Sequence, residues 1–363
     1  MDFEFSAEQE ELRSTVRRFL VDRAPLRPYV RDQLDDNRGT TVAVWKGLAD
    51  LGATGLLVPE QYGGADLGMV EMGVVLEEMG RLVHPGPFRS SAVGAVSAVL
   101  LGGSPDDRSD LLPRLASGDV VGTVALDGAI TAAPAGSAWS LSGLVPRVGD
   151  GAAAHVLVAA ATTATGVGLF AVNTDEPGIE IAPADTVDGT TKFATVRLDG
   201  AAARRLGSGD ARPGDVVGEV ADRLAVAHAV DGLGAAEAAL ELTVTYAKER
   251  VQFERPIGSF QAVQHLCADM LQWVELARAG SYYALWALDG ADAAERHRAA
   301  TMALAYASDT LHRVGAAAIQ VLGGIGFTWE HDAHLFYKRL LTLQQTGGGG
   351  PAQYEELAAI VLD

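Results

Sequence analysis

Between Tyr246 and His265 the chain reads Tyr-Ala-Lys-Glu-Arg-Val-Gln-Phe-Glu-Arg-Pro-Ile-Gly-Ser-Phe-Gln-Ala-Val-Gln-His, and three of these side chains have complementary chemistry. Arg250 supplies a guanidinium, Phe253 an aromatic face and Gln261 an amide. Arg250 and Phe253 are spaced for one face of a helix. That helix is expected to break at Arg255-Pro256-Ile257-Gly258 and restart near Ser259. A cation, a ring and an amide at one helix junction suit a ligand carrying both phosphate and an aromatic system. The plainer reading gives Arg250 to the helix C-terminus and Phe253 to the core. A second stretch, Gln320-Val-Leu-Gly323-Gly324-Ile-Gly326-Phe-Thr, pairs an amide with glycines. Glycine lets a backbone approach a pyrophosphate closely. The same residues also suit a helix cap closing a turn.

The elements that carry these residues follow from patterning. Residues 1–112 read as helical. Ser6 with Glu8, Gln9 and Glu10 makes a helix start, and Leu12, Val16, Phe19 and Leu20 continue it at helical spacing. Further helices are expected over 42–51, 69–82 and 91–101, with a turn-rich loop at 56–64. From 113 to 214 short Val-, Leu- and Ile-rich runs (120–126, 139–144, 155–160, 167–172, 179–182 and 194–198) alternate with Gly, Asp, Pro and Thr, the pattern of an all-β unit. Trp139–Gly143 and Asn173–Gly178 also carry turn chemistry, and 207–214 reads as a linker. From 215 to 363 the chain is helical again: 221–249 with small residues at Gly232, Gly234, Ala235 and Ala236, then 259–288, 293–322 and a short helix after Pro351. Long helices with short connections read as an up-down bundle.

The 363 residues allow two or three domains, and 48% hydrophobic residues allow a sizeable core. A net charge of -19 argues against nucleic acid or an anionic membrane as main partner. An anionic ligand would need local basic residues to offset that field. The single Cys267 excludes an intramolecular disulfide and a cysteine-rich metal site, so no metal centre is expected. The acidic start Met1-Asp-Phe-Glu-Phe lacks an apolar run, and no stretch is clean enough to span a bilayer. A cytoplasmic location is the expectation.

The two stretches, with Gly55-Leu-Leu-Val-Pro-Glu-Gln-Tyr-Gly-Gly64 and Glu77-Glu78-Met79-Gly80 upstream, resemble the acyl-CoA dehydrogenase family, in the small-subunit branch of bacterial heteromeric members. The resemblance spans nearly the whole chain and is most specific from Asp222 to Leu343. It implies an N-terminal all-α domain (1–112), a middle β-barrel or sandwich domain (113–214) and a C-terminal four-helix-bundle domain (215–363). It also implies FAD between subunits, an acyl-CoA or carrier-bound thioester as substrate, a dimer or tetramer, and an electron-transfer flavoprotein or similar acceptor. Arg250, Phe253 and Gln261 then map to the flavin nucleotide of a neighbouring subunit. Gln320, Gly323 and Gly324 map to its ADP half.

The chain departs from the family pattern in four places. Glu254 stands where the family usually has glycine, adding an acid near a pyrophosphate. The usual Thr-Glu-Pro element is replaced by Leu126-Asp-Gly-Ala-Ile-Thr-Ala-Ala-Pro134. The flavin-contacting Trp-Ile-Thr-Asn element corresponds loosely to Pro146–Asp150. Counting from Gly326 without gaps, the catalytic glutamate falls on Gly347, which cannot take a proton. A minority of the family places its base before a helix arginine, here Asp222-Arg223; Asp222 is equally suited to a first-turn acid or cap. Three functions therefore stand open. The chain is the base-lacking partner in a heteromer acting on steroid or fatty acyl thioesters, a self-sufficient homo-oligomeric flavoenzyme using Asp222, or a non-redox scaffold that has lost flavin.

Overall fold

The computed structural model describes residues 5–136, 138–207 and 212–362. Helices come first: α1 (Ala7–Arg23), α2 (Val42–Asp50), α3 (Met69–Arg81), α4 (Val96–Gly102) and α5 (Pro105–Ala116). Seven strands follow: β1 (Gly122–Ala125), β2 (Ala129–Ala135), β3 (Ala138–Gly149), β4 (Val156–Thr163), β5 (Gly166–Asn173), β6 (Ile179–Ala184) and β7 (Phe193–Arg205). The long α6 (Pro213–Glu249) leads to a two-residue pair, β8 (Val251–Gln252) and β9 (Arg255–Pro256). Then come α7 (Gln261–Gly290), α8 (Ala293–Leu322), α9 (Ala333–Gln344) and α10 (Gly350–Leu362). Among the described residues no helix is long and apolar enough to cross a membrane.

The helical–β–helical order is the expected one. Ser6 and Gln9 form a reciprocal capping box at the start of α1. Four local expectations are corrected. Two further helices, α5 and α9, stand where none was expected. The Ala-rich β2 was missed because alanine gives the strand period little contrast, yet its burial alternates around Ile130 and Ala132. Trp139–Gly143 is not a turn but lies inside β3, with a register shift between Leu141 and Ser142. The linker expected over 207–214 falls partly outside the described residues; Pro213 and Gly214 already belong to α6, with proline at the helix start.

By contacts the chain divides into two units. One holds residues 31–72 and 85–224. In it the strand order is β1-β4-β2-β3-β7-β5, with β6 on β7, and a further β4–β5 pairing closes the sheet into a barrel. Leu141, Leu157, Phe170, Val196 and Leu198 fill it, and the Trp139 ring lies 5.2 Å from that of Phe170.

The other unit holds residues 1–30, 73–84 and 225–363. Its helices approach where side chains vanish: a Cβ at Gly234 would sit 2.0 Å from the Glu77 carbonyl oxygen, and one at Gly80 2.0 Å from that of Asp231. Gly234 of α6 thus serves backbone contact with α3, whereas a Cβ at Gly232 would meet the Leu343 side chain of α9 at 2.3 Å. Beside that contact Glu77 is buried and ion-paired to Arg278, and accepts a hydrogen bond from the Tyr282 hydroxyl. Arg278 also pairs with Glu237 at 2.9 Å, Arg81 with Glu237 at 2.6 Å, and Arg17 with the buried Glu78 at 2.7 Å. Burial, with the Glu77 carboxylate next, pushes the Tyr282 hydroxyl well above its ordinary range. Burial opposes the charge of Glu237, but Arg278 and Arg81 outweigh it and hold its carboxyl below the usual range.

Candidate functional site

The first motif is a hairpin rather than a helix face. Helix α6 ends at Glu249, and the Arg250 N–H still bonds back to the Tyr246 carbonyl at 2.9 Å. Val251 then pairs with Pro256 and Gln252 with Arg255, leaving Phe253 and Glu254 as the two turn residues. Both adopt left-handed backbone, with φ of 53° and 65°. A two-residue turn with both central φ values positive matches the twist of a hairpin but favours glycine, asparagine or aspartate. The expectation that Arg250 and Phe253 share a helix face is therefore wrong: the turn intervenes. It also gives a conformational reason for glycine at position 254.

The hairpin leaves its chemistry outside. Phe253 is 86% exposed, meeting the Phe260 ring edge-on at 6.0 Å. The Arg255 guanidinium lies over Phe260 at 4.1 Å, so it stacks on a ring. Arg250 is exposed, and Gln261 opens α7, also exposed.

The second motif ends α8. Gly323 caps the helix with φ 65° and ψ -143°, and its N–H bonds to the Ile319 carbonyl. That conformation explains glycine at 323. It does not explain Gly324, where φ is not positive and an added Cβ would meet nothing of this chain within 4 Å. Gln320, Gly323 and Gly324 are all exposed. The two motifs share one end of the unit: Leu242 and Tyr246, in the last turns of α6, pack against a cluster containing Ile319 and Leu322 of α8. Exposed Phe327 and Trp329 follow the glycines, a feature that the sequence reading passed over. An outward guanidinium, an outward ring and an open glycine backbone fit a group with phosphates and an aromatic system.

Position 347 is exposed but crowded on one side. Gly347 is left-handed, φ 64°, and a Cβ there would meet the Gln353 amide nitrogen at 3.0 Å and Leu304 at 3.2 Å. Gln353 is 2% exposed, accepts a hydrogen bond from the Ser308 hydroxyl at 2.6 Å and donates to the Thr346 carbonyl. Nothing in the sequence signalled this buried glutamine.

In the other unit, Asp222 lies nine residues into α6 and is half-buried, which removes the reading as a first-turn acid or cap. Arg223 donates to Glu219 at 2.9 Å, one turn back, and its Nε is buried without a partner. Within Pro146–Asp150, polar groups are taken up locally: the Gly149 carbonyl accepts from Thr123 at 2.6 Å and Asp150 from Ser90. Cys267 is half-buried and burial raises its thiol, in keeping with an inert packing residue.

Residues 6–119 match the model of the acyl-CoA dehydrogenase N-terminal domain and residues 215–362 that of the acyl-CoA dehydrogenase C-terminal domain. Acyl-CoA dehydrogenase IpdE2 of Mycobacterium tuberculosis is 33% identical over 333 residues, covering 92% of this chain and 90% of its own. A solved steroid acyl-CoA dehydrogenase variant, Tcur3481-Tcur3483, superposes with a TM-score of 0.89 at 32% identity, over 98% of both chains. The ChsE4-ChsE5 complex of Mycobacterium tuberculosis does so at 0.91 and 27% identity, over 100% of this chain and 99% of that one.

Proposed function

The chain belongs to the acyl-CoA dehydrogenase family, and from that premise we propose that it is the base-lacking subunit of a heteromeric, FAD-dependent acyl-CoA dehydrogenase. The observation that carries the reading is Gly347. At the position where the ungapped count puts the usual glutamate stands a glycine with left-handed backbone, φ 64°, a conformation in which any side chain is strained, and Gln353 and Leu304 crowd one side of it. The base for the acyl α-proton then comes from a partner chain of the same family, and the two similar solved assemblies are a steroid acyl-CoA dehydrogenase and the ChsE4-ChsE5 complex. The substrate class is a steroid or fatty acyl thioester, and the location is cytoplasmic. The divisions at 112/113 and 214/215 belong to the same proposal.

FAD, when bound, accepts the β-hydrogen as hydride. This chain's part is to hold it. Arg250 would neutralise phosphate charge, Phe253 and Gln261 would meet the flavin nucleotide, and Gln320 with the bare backbone at Gly323 and Gly324 would meet the ADP half. An electron-transfer flavoprotein or similar acceptor would be the partner that takes up the electrons. The test is co-purification with a base-carrying acyl-CoA dehydrogenase chain. Flavin occupancy and acyl-CoA oxidation should both rise when the two chains are mixed; identical values with and without the second chain would refute the reading.

A second reading keeps the chain self-sufficient, with Asp222 as base on an atypical or carrier-bound acyl group. Its support is the half-buried position of Asp222 inside α6, beyond any capping role. Under it, Asp222→Asn abolishes ferricenium reduction and retains FAD; unchanged turnover removes Asp222.

A further inference from the structure

Residues 323–332 join α8 to α9 and carry both the glycine turn and the exposed rings of Phe327 and Trp329. From 323 to 330 only Gly326 is buried; a Cβ there would meet Leu322 at 3.2 Å and Ile319 at 3.4 Å. A stretch anchored by one buried glycine has little apolar burial to fix its shape. A side chain from far back in the sequence supplies what burial does not. Arg27, on extended backbone after α1, places its Nε 3.0 and 2.8 Å from the two carboxylate oxygens of Asp332. Its Nη2 donates to the Glu330 carbonyl at 2.6 Å.

The clamp has a local cost. Asp332 is the N-cap of α9, a position where aspartate normally accepts from first-turn N–H groups, yet its side chain makes no capping bond. Its carboxylate turns to Arg27 instead. Arg27 is half-exposed, and an ion pair of that kind adds little to global stability. What it supplies is shape: one planar fork fixes a carboxylate and a main-chain oxygen two residues apart. Just upstream, the Trp329 ring is contacted by Lys338, whose Nζ lies 4.8 Å from its centroid, and edge-on by the His334 ring at 4.7 Å. The other end is fixed by the bond from the Gly323 N–H to the Ile319 carbonyl, so the glycine backbone is tied on both sides.

We propose that Arg27 is a positioning residue for cofactor binding: through Glu330 and Asp332 it holds the turn at 323–327 in the shape that receives the ADP half of the flavin nucleotide. The inference rests on the reading above, in which Gly323 and Gly324 meet that half. Ordering a loose segment at the moment of binding costs affinity, and a segment ordered beforehand avoids that cost. Arg27 acts through the turn and not by touching the nucleotide.

The test compares flavin release from the assembled, flavin-loaded oligomer across three variants. Arg27→Ala should speed release about threefold to tenfold, the cost of reordering a side chain or so. The thermal midpoint should move by less than about 2 °C. Arg27→Lys keeps the charge without the planar fork, so it should not restore wild-type release. Gly324→Val fills the open backbone and should speed release at least as much. In the flavin-free chain, Arg27→Ala should raise acrylamide quenching of tryptophan fluorescence, and adding Trp329→Phe should cancel the rise; a purely global role would move all five tryptophans. Wild-type release in Arg27→Ala beside fast release in Gly324→Val overturns the positioning role alone. Wild-type release in Gly324→Val shows that the turn does not meet the cofactor, and the proposal falls with that reading. Full rescue by Arg27→Lys, or a large loss of thermal stability in Arg27→Ala, also overturns it.

Discussion

Two regions of the same helical unit use charged and aromatic residues in opposite ways. Around Glu77 the groups close on one another: Arg278, Tyr282, Glu237 and Arg81 satisfy each other across α3, α6 and α7. At the α6–α7 hairpin and the α8 glycine turn they open outward. Phe253 is exposed on strained backbone, Arg250 faces solvent, and a Cβ added at Gly324 would meet no described residue within 4 Å. Burial without compensation is costly and unlocal strain persists where something else requires it. The closed region is explained inside the chain. The open one calls for a ligand or a second protomer.

Substitutions should separate the two regions. Arg278→Ala leaves Glu77 buried beside a lost partner and should cost about 3–5 kcal/mol of stability, read by denaturant unfolding. A loss under about 1 kcal/mol would mean that Glu77 finds another cation, such as Arg13, 3.9 Å away. The left-handed turn at 347 gives the next effect. Gly347→Glu must adopt left-handed backbone and press on the Gln353 amide, so it should destabilise by about 1–2 kcal/mol without restoring acyl-CoA oxidation. Turnover in that variant would show the turn to be adaptable.

At the open end, Arg250→Ala should leave stability within about 0.5 kcal/mol, as for an exposed residue. It should weaken FAD binding by the assembled oligomer by about 1.5–3 kcal/mol, measured by flavin release. Glu254→Gly relieves a left-handed side chain and should stabilise by about 1 kcal/mol. It also removes an acid from the expected pyrophosphate side, so flavin affinity should rise; a fall would mean that Glu254 contacts something useful. The smallest effect is in acid. The Glu237 carboxyl is depressed in the fold, so its stabilisation is complete above the ordinary carboxylate range, about pH 4.3, and is lost as pH falls through the depressed value. Glu237→Gln should flatten that part of the acid-unfolding curve.

What was readable in advance followed chemical contrast. The capping box at Ser6, the β texture after residue 113 and the small residues of α6 all leave marks in residue type. Strand β2 did not, because alanine hides a period of two. At the candidate site the residue types were legible and their geometry was not. No spacing rule separates a helix face from a two-residue turn when the turn carries Phe253 and Glu254 in place of glycine. Gln353 was invisible for another reason: its partners, Ser308 and Thr346, are supplied by tertiary packing.

The central claim is that the open end grips a flavin nucleotide which another protomer must help to hold, in a chain without its own base. The flavin-to-chain ratio of the protein purified alone, taken from its absorbance spectrum together with ferricenium reduction on acyl-CoA, tests it most directly. The account predicts a ratio well below one and no reduction; a full complement of FAD with turnover would contradict it.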